Sequence, residues 1–203
     1  MKLLHLGFVT FLTFIRFPLV LMFFIGAIYN SWFPTTWIFF VSLAVLILAS
    51  LTDLLDGYFA RKLNVETSLG AHADPLMDKF FYLSTMPLLI FAAAHNNNYT
   101  HATFLLVLTF LFLARDQWVT FLRSIGSMYN ASGRANWSGK LRTCINFPLI
   151  CAIYYLEEVP SKYQFLPPNL VYAFEIISLF LTLISLYVYS RNYWPHIKKS
   201  ASL

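Results

Sequence analysis

Hydrophobic positions along the 203-residue chain fall into six long runs rather than into the spaced stripe of a soluble amphipathic helix. The runs cover roughly residues 7–29, 34–58, 75–94, 102–125, 141–157 and 170–190. About 20 apolar residues of helix cross the hydrocarbon core of a bilayer. The pattern therefore predicts an all-α integral membrane protein with six transmembrane helices. The connections are short, so residues 1–203 read as a single membrane domain, without internal repeats or low-complexity stretches. The first run begins close to Met1 and no small-residue cleavage site follows it. That predicts a retained helix rather than a removed signal peptide.

Composition strengthens this reading. Hydrophobic residues make up 59% of the chain and charged residues only 11%, with 21 Phe, 12 Tyr and 5 Trp. A soluble domain carries about a quarter charged residues, so most of this surface is predicted to face lipid. Cys144 and Cys151 both lie in the fifth run and cannot form a disulfide framework. They read as small buried hydrophobes.

The distribution of basic residues sets the orientation. The connections near 30–33 and 95–101 contain no Lys or Arg, and the one near 158–169 contains only Lys162, beside Glu157 and Glu158. Lys2, Arg61, Lys62, Arg123, Arg134, Lys140, Arg142, Arg191, Lys198 and Lys199 lie at the opposite ends of the runs. Basic residues stay on the cytoplasmic side, which predicts six spans with both termini in the cytoplasm. A net charge of +5 suits anionic lipid head groups. No basic soluble module is present to hold nucleic acid. Trp32, Trp37 and Trp194 sit near predicted helix ends, where interfacial anchors belong.

Four of the five aspartates fall within 26 residues: Asp53, Asp56, Asp74 and Asp78. Each is at or near the cytoplasmic end of an apolar run, where ionisable groups are expensive and mark functional sites. Asp53 and Asp56 share a helical face, as do Asp74 and Asp78. Two consecutive antiparallel helices could bring all four together. Carboxylates crowded in a partly dry site need cations to remain ionised. Oxygen-only ligands favour hard ions such as Mg²⁺ or Mn²⁺, and a pair of such ions is suited to displacement at phosphorus. Capping of helix ends, or pairing with Arg61, Lys62 and Lys79, is the plainer explanation; four carboxylates at these spacings outweigh it.

Residues 53–78 read D-x2-D-G-x2-A-R-x8-G-x3-D-x3-D, with Asp53, Asp56, Gly57, Ala60, Arg61, Gly70, Asp74 and Asp78 at the fixed positions. This resembles the signature of the CDP-alcohol phosphatidyltransferases, a family of membrane enzymes that move a phosphatidyl group from a CDP-activated lipid to an alcohol. The resemblance extends over nearly the whole chain. It implies that Asp53, Asp56 and Asp74 hold one divalent metal, and that Asp53, Asp74 and Asp78 hold the second. Asp78 would also be the general base. Gly57, Ala60, Arg61 and Gly70 would bind the CDP-lipid donor, with Gly57 and Ala60 against the cytidine and Arg61 on the phosphates. The family is generally homodimeric, so a homodimer is expected. His72 is expected beside the site without being a ligand.

The later spans bear on the acceptor. Arg115 and Asp116 lie inside an apolar run, Arg123 follows eight residues on, and Ser138-Gly139-Lys140-Leu141-Arg142-Thr143 comes after. Arg115, Arg123, Lys140 and Arg142 beside a metal site call for an anionic partner, and arginine suits bidentate phosphate contact. Asp116 is expected to orient Arg115; a buried pair of the two is the alternative. Arg123, Arg134 and Arg142 could also be topology signals alone, and Ser138 and Thr143 read as helix caps. These features, with Leu12-Thr13-x2-Arg16, resemble the bacterial phosphatidylglycerophosphate synthases of the same family. Arg142 replaces a Lys, and Thr10 stands where those sequences have Asn. The resemblance implies CDP-diacylglycerol and sn-glycerol 3-phosphate as substrates and a bacterial plasma membrane with the site facing the cytoplasm. Inositol phosphate, serine or phosphatidylglycerol are alternative acceptors. A divalent-cation transporter is the rival of another class, though Arg61 beside a cation path would oppose it.

Overall fold

The computed structural model describes residues 2–63, 68–129 and 137–201, apart from the side chains of 2–6, 8, 56, 57, 60, 61, 68–72, 74, 75, 138 and 140. Six long helices stand where the apolar runs predicted them: α1 Lys2–Trp32, α2 Thr36–Leu63, α3 Ser68–His95, α4 Tyr99–Met128, α5 Trp137–Glu158 and α6 Pro168–Ala201. One 3₁₀ turn, Ser161–Tyr163, lies between α5 and α6. The breaks have local causes. Pro34 follows α1 and disfavours further helix before it. Asn96, Asn97 and Asn98 turn the chain between α3 and α4. Asn97 adopts φ 61°, which asparagine tolerates, and the Asn98 side chain accepts from the His101 amide to cap α4.

Five helices, all but α5, contain a stretch long and apolar enough to cross a membrane. The chain is a membrane protein on that basis. The fifth predicted run is α5, which packs against α2, α3 and α6, burying Arg142 and Asn146 alongside Phe147, Ile150, Ile153 and Tyr154. A helix enclosed by protein can carry polar groups that a lipid-facing helix cannot.

The bundle is apolar outside, and its largely apolar core also encloses polar groups. On α6 the buried positions are Val171, Glu175, Ser178, Thr182, Ser185, Tyr189 and Tyr193. The opposite face exposes Phe174, Ile177, Phe180, Ile184 and Tyr187. Lipid stabilises that exposed face as water stabilises the polar face of a soluble helix. Small residues permit close approach: a Cβ on Gly26 of α1 would come within 2.5 Å of the Ser42 hydroxyl on α2. Trp32, Trp37 and Trp194 are exposed at helix ends, as anchors should be. The cysteines depart from expectation. Cys151 is half-buried beside Ser50, but Cys144 is exposed on an apolar groove of about 240 Å³ between α5 and α6, since its position on α5 turns outward from the buried face of Arg142 and Asn146.

One end of the bundle is fastened by carboxylates that no motif announced. Buried His101 on α4 lies with Nδ1 2.5 Å from Glu157 of α5 and Nε2 2.8 Å from Glu175 of α6. A neutral imidazole has one donor, so this arrangement holds at least one shared proton. Next to it, Asn30 and Ser31 of α1 each donate to Glu158 at 2.6 Å. Removing one partner of such a buried set leaves an uncompensated charge. His101→Ala is expected to lose about 3 kcal/mol, lowering the thermal midpoint in detergent by roughly 5–10 °C. An unchanged midpoint would show that these contacts carry no stability.

Candidate active site

Asp53 lies near the end of α2 and Asp78 near the start of α3, each at the margin of an apolar stretch. Both helices pack on α1, which brings the two margins to one guanidinium. Asp56 and Asp74 share those helices, but their side chains lie outside what the structure describes. So do those of Ala60, Arg61 and His72, and the surroundings of Gly57 and Gly70. Among the described residues no three of His, Cys, Asp and Glu gather into a metal-binding group; only two of the four predicted aspartates are among them.

Between Asp53 and Asp78 stands Arg16 of α1. Its guanidinium NH1 is 2.5 Å from Asp53 Oδ1 and 3.3 Å from Asp78 Oδ1. The Arg16 side chain is 1% exposed, Asp53 11% and Asp78 37%. The exposure rises from Arg16 to Asp78. The two carboxylates come from different helices and offer oxygen donors alone, a donor type that suits Mg²⁺ or Mn²⁺.

A second group of charges adjoins the first. Tyr82 follows Asp78 by one helical turn on α3, and Arg142 of α5 lies over its ring at 5.6 Å and over Phe112 at 5.2 Å. Arg142 donates to both oxygens of Asp116, at 2.5 and 3.1 Å. Arg115 donates to Asp116 Oδ1 at 2.9 Å and to the Ser185 hydroxyl of α6. Arg123 donates to the Tyr189 hydroxyl at 2.9 Å, and both Arg115 and Arg123 stack over the Tyr189 ring. Gly139 of α5 makes room: a Cβ there would meet Tyr189 at 3.1 Å and Arg115 at 3.4 Å.

Three of the four predicted acceptor residues, Arg115, Arg123 and Arg142, thus meet around Asp116 and Tyr189; the Lys140 side chain lies outside the described residues. Asp116 orients Arg115 as expected, and the two also form the buried pair named as the alternative. Asp116 bridges to Arg142 as well. Buried and paired, Arg142 is more than a topology signal. Thr143 is not a cap: it lies within α5 and donates to the Gly139 carbonyl. Ser138 and Arg134 lie outside the described residues. Among the described residues, the buried Nε–H groups of Arg123 and Arg142 have no hydrogen-bond partner, a condition that favours an incoming acceptor oxygen.

Sequence reasoning quoted Arg16 within a motif without giving it a role. The signal was present, since Arg16 is the lone charge in the first apolar run. Tyr82 could have been found one turn from Asp78. Ser185 and Tyr189 had no signal, because tyrosine and serine in an apolar helix are ordinary.

Carboxylates and arginines thus converge within a bundle of apolar helices. The CDP-alcohol phosphatidyltransferase family profile matches residues 8–193, and the chain belongs to that family. It is 32% identical over 168 residues to the CDP-diacylglycerol–glycerol-3-phosphate 3-phosphatidyltransferase of Pseudomonas fluorescens, covering 81% of this chain and 80% of the relative. It is 29% identical over 154 residues to the protein of that name from Bacillus subtilis, covering 76% and 74%. The Escherichia coli K12 protein of that name is 25% identical over 134 residues, covering 64% and 69%. The chain is a phosphatidyltransferase enzyme of phospholipid biosynthesis.

The coupling between Asp116 and Arg142 can be measured directly. A double-mutant cycle with Asp116→Asn and Arg142→Gln is expected to give about 1–3 kcal/mol of interaction in thermal or denaturant unfolding. Additive effects of the two changes would contradict the pairing.

Proposed function

We propose that this enzyme transfers the phosphatidyl group of CDP-diacylglycerol to sn-glycerol 3-phosphate, forming phosphatidylglycerophosphate and CMP. The observation that carries the acceptor is the arginine cluster beside Asp78, in which Arg123 and Arg142 keep unsatisfied Nε–H donors. A phosphate on the acceptor satisfies them, and Arg115, Arg123, Lys140 and Arg142 form its seat. Serine brings a single carboxylate next to its own ammonium group, a poorer match than a phosphate for several arginines. The names of the relatives point to the same pair of substrates.

In this reading Asp53, Asp56, Asp74 and Asp78 hold two divalent ions, Mg²⁺ or Mn²⁺, which when bound neutralise the donor diphosphate. Gly57, Ala60, Arg61 and Gly70 seat the CDP-lipid. Asp78, the more exposed of the two described carboxylates, takes the proton of the acceptor hydroxyl. The acceptor oxygen attacks the phosphorus that carries the diacylglycerol, the bond from that phosphorus to the CMP oxygen breaks, and CMP leaves. The arginines hold the phosphate of the acceptor while its hydroxyl points at Asp78, so that binding at one end positions the reacting end. The bundle spans the membrane six times with both termini and the site in the cytoplasm of a bacterial cell. The apolar exterior lets the lipid donor enter sideways, and the chain works as a homodimer, as the family resemblance implies.

The test is CMP release from CDP-diacylglycerol by purified protein in detergent with Mg²⁺ or Mn²⁺. Glycerol 3-phosphate, inositol phosphate, serine and no acceptor are run side by side. Release only with glycerol 3-phosphate, abolished by EDTA, is expected. Release with another alcohol overturns the acceptor, and no release from folded protein under any condition overturns the reaction and favours cation transport.

Two substitutions separate the roles. Asp78→Asn is expected to lower kcat by at least about 100-fold with the fold retained. Arg142→Gln is expected to raise KM for glycerol 3-phosphate by about tenfold or more, with a smaller effect on the KM for the lipid donor. Retained turnover in the first variant removes Asp78 as the base.

A further inference from the structure

Arg16 is the most deeply buried charge of the site, at 1% exposure, and its NH1 touches Asp53 and Asp78 at once. The three residues come from α1, α2 and α3, and α1 packs on both of the other helices. Thr13, one turn earlier, is also buried and donates to the Val9 carbonyl. That keeps the same face of α1 turned inward. Two carboxylates drawn together at the membrane margin repel each other unless a cation lies between them, and the guanidinium is that cation.

We propose that Arg16 is a resident counter-cation that positions Asp53 and Asp78 and competes with divalent ions for them. This rests on the reading of Asp53 and Asp78 as metal ligands. The contacts of Arg16 with Asp53 and Asp78 fall on oxygens of those ligands, so the guanidinium and a divalent ion draw on the same lone pairs. A fixed positive charge a few ångströms away also repels an arriving ion. The carboxylates are therefore held ready by Arg16, while the affinity of the empty enzyme for metal is kept low. An anionic donor, by adding negative charge, shifts that balance toward loading. Arg16 is thus a positioning residue that acts through the carboxylates.

The experiment measures Mn²⁺ binding to purified protein without lipid donor, from the magnetic-resonance signal of unbound Mn²⁺, for wild type, Arg16→Lys and Arg16→Gln. Arg16→Gln removes the competing charge and is expected to bind Mn²⁺ about tenfold more tightly than wild type. Arg16→Lys keeps the charge and is expected to stay within about threefold of wild type. Arg16→Gln protein that is monodisperse only when purified with Mn²⁺ also supports the proposal, because the metal then replaces the missing cation. Arg16→Gln that binds Mn²⁺ no more tightly than wild type, or stays unfolded in saturating Mn²⁺, overturns it. Wild-type protein that binds no Mn²⁺, with or without CDP, instead removes the metal reading beneath it.

Discussion

The contact of Arg16 with Asp53 and Asp78 is the constraint on which the rest of the site depends. Charge at the membrane margin is costly, and like charges there are costlier still. Three helices converge at this point, where one guanidinium compensates two carboxylates. With that triangle set, α2 and α3 both pack on α1. The next turn of α3 then places Tyr82 under Arg142, and Asp116 joins Arg142 to Arg115. Anionic and cationic halves of the site thereby adjoin, one suited to metal-bound diphosphate and the other to an acceptor phosphate.

The bundle supports this with an apolar core, including Phe23, Phe81, Leu105 and Ile150, into which Asn146, Ser178, Thr182 and Ser185 are also packed, while its exterior carries phenylalanine, leucine and isoleucine. Small hydroxyl side chains on α6 let α4 and α5 approach closely, and the Ser178 hydroxyl donates to Asn146 at 2.5 Å within the interior. At the far end His101 binds two glutamates from two helices. The charged groups at both ends are shared between helices, which fixes how the helices stand relative to one another.

Much of this was legible in the chain. Six runs of apolar residues gave six helices, because helix length in a bilayer is set by thickness. That Asp53 and Asp78 come to one place was readable from four aspartates at helical spacing on two consecutive helices. Contacts between distant segments were not readable. That Arg16 meets Asp53 and Asp78, and that Tyr189 receives Arg123, depends on how α1 and α6 rotate against their neighbours. That rotation is set by the whole bundle. The same holds for α5: its apolar run predicted a span, but not that packing against α2, α3 and α6 turns Arg142 and Asn146 inward. Thr143 misled for a related reason, since a hydroxyl near a predicted helix start reads as a cap until the start is known.

The central physical claim is that the carboxylates of α2 and α3 are a divalent-metal site. Anomalous X-ray diffraction from crystals grown with Mn²⁺ and CDP tests it most directly. The account predicts two manganese peaks about 4 Å apart among Asp53, Asp56, Asp74 and Asp78. Crystals with ordered CDP and no manganese at those aspartates would contradict it.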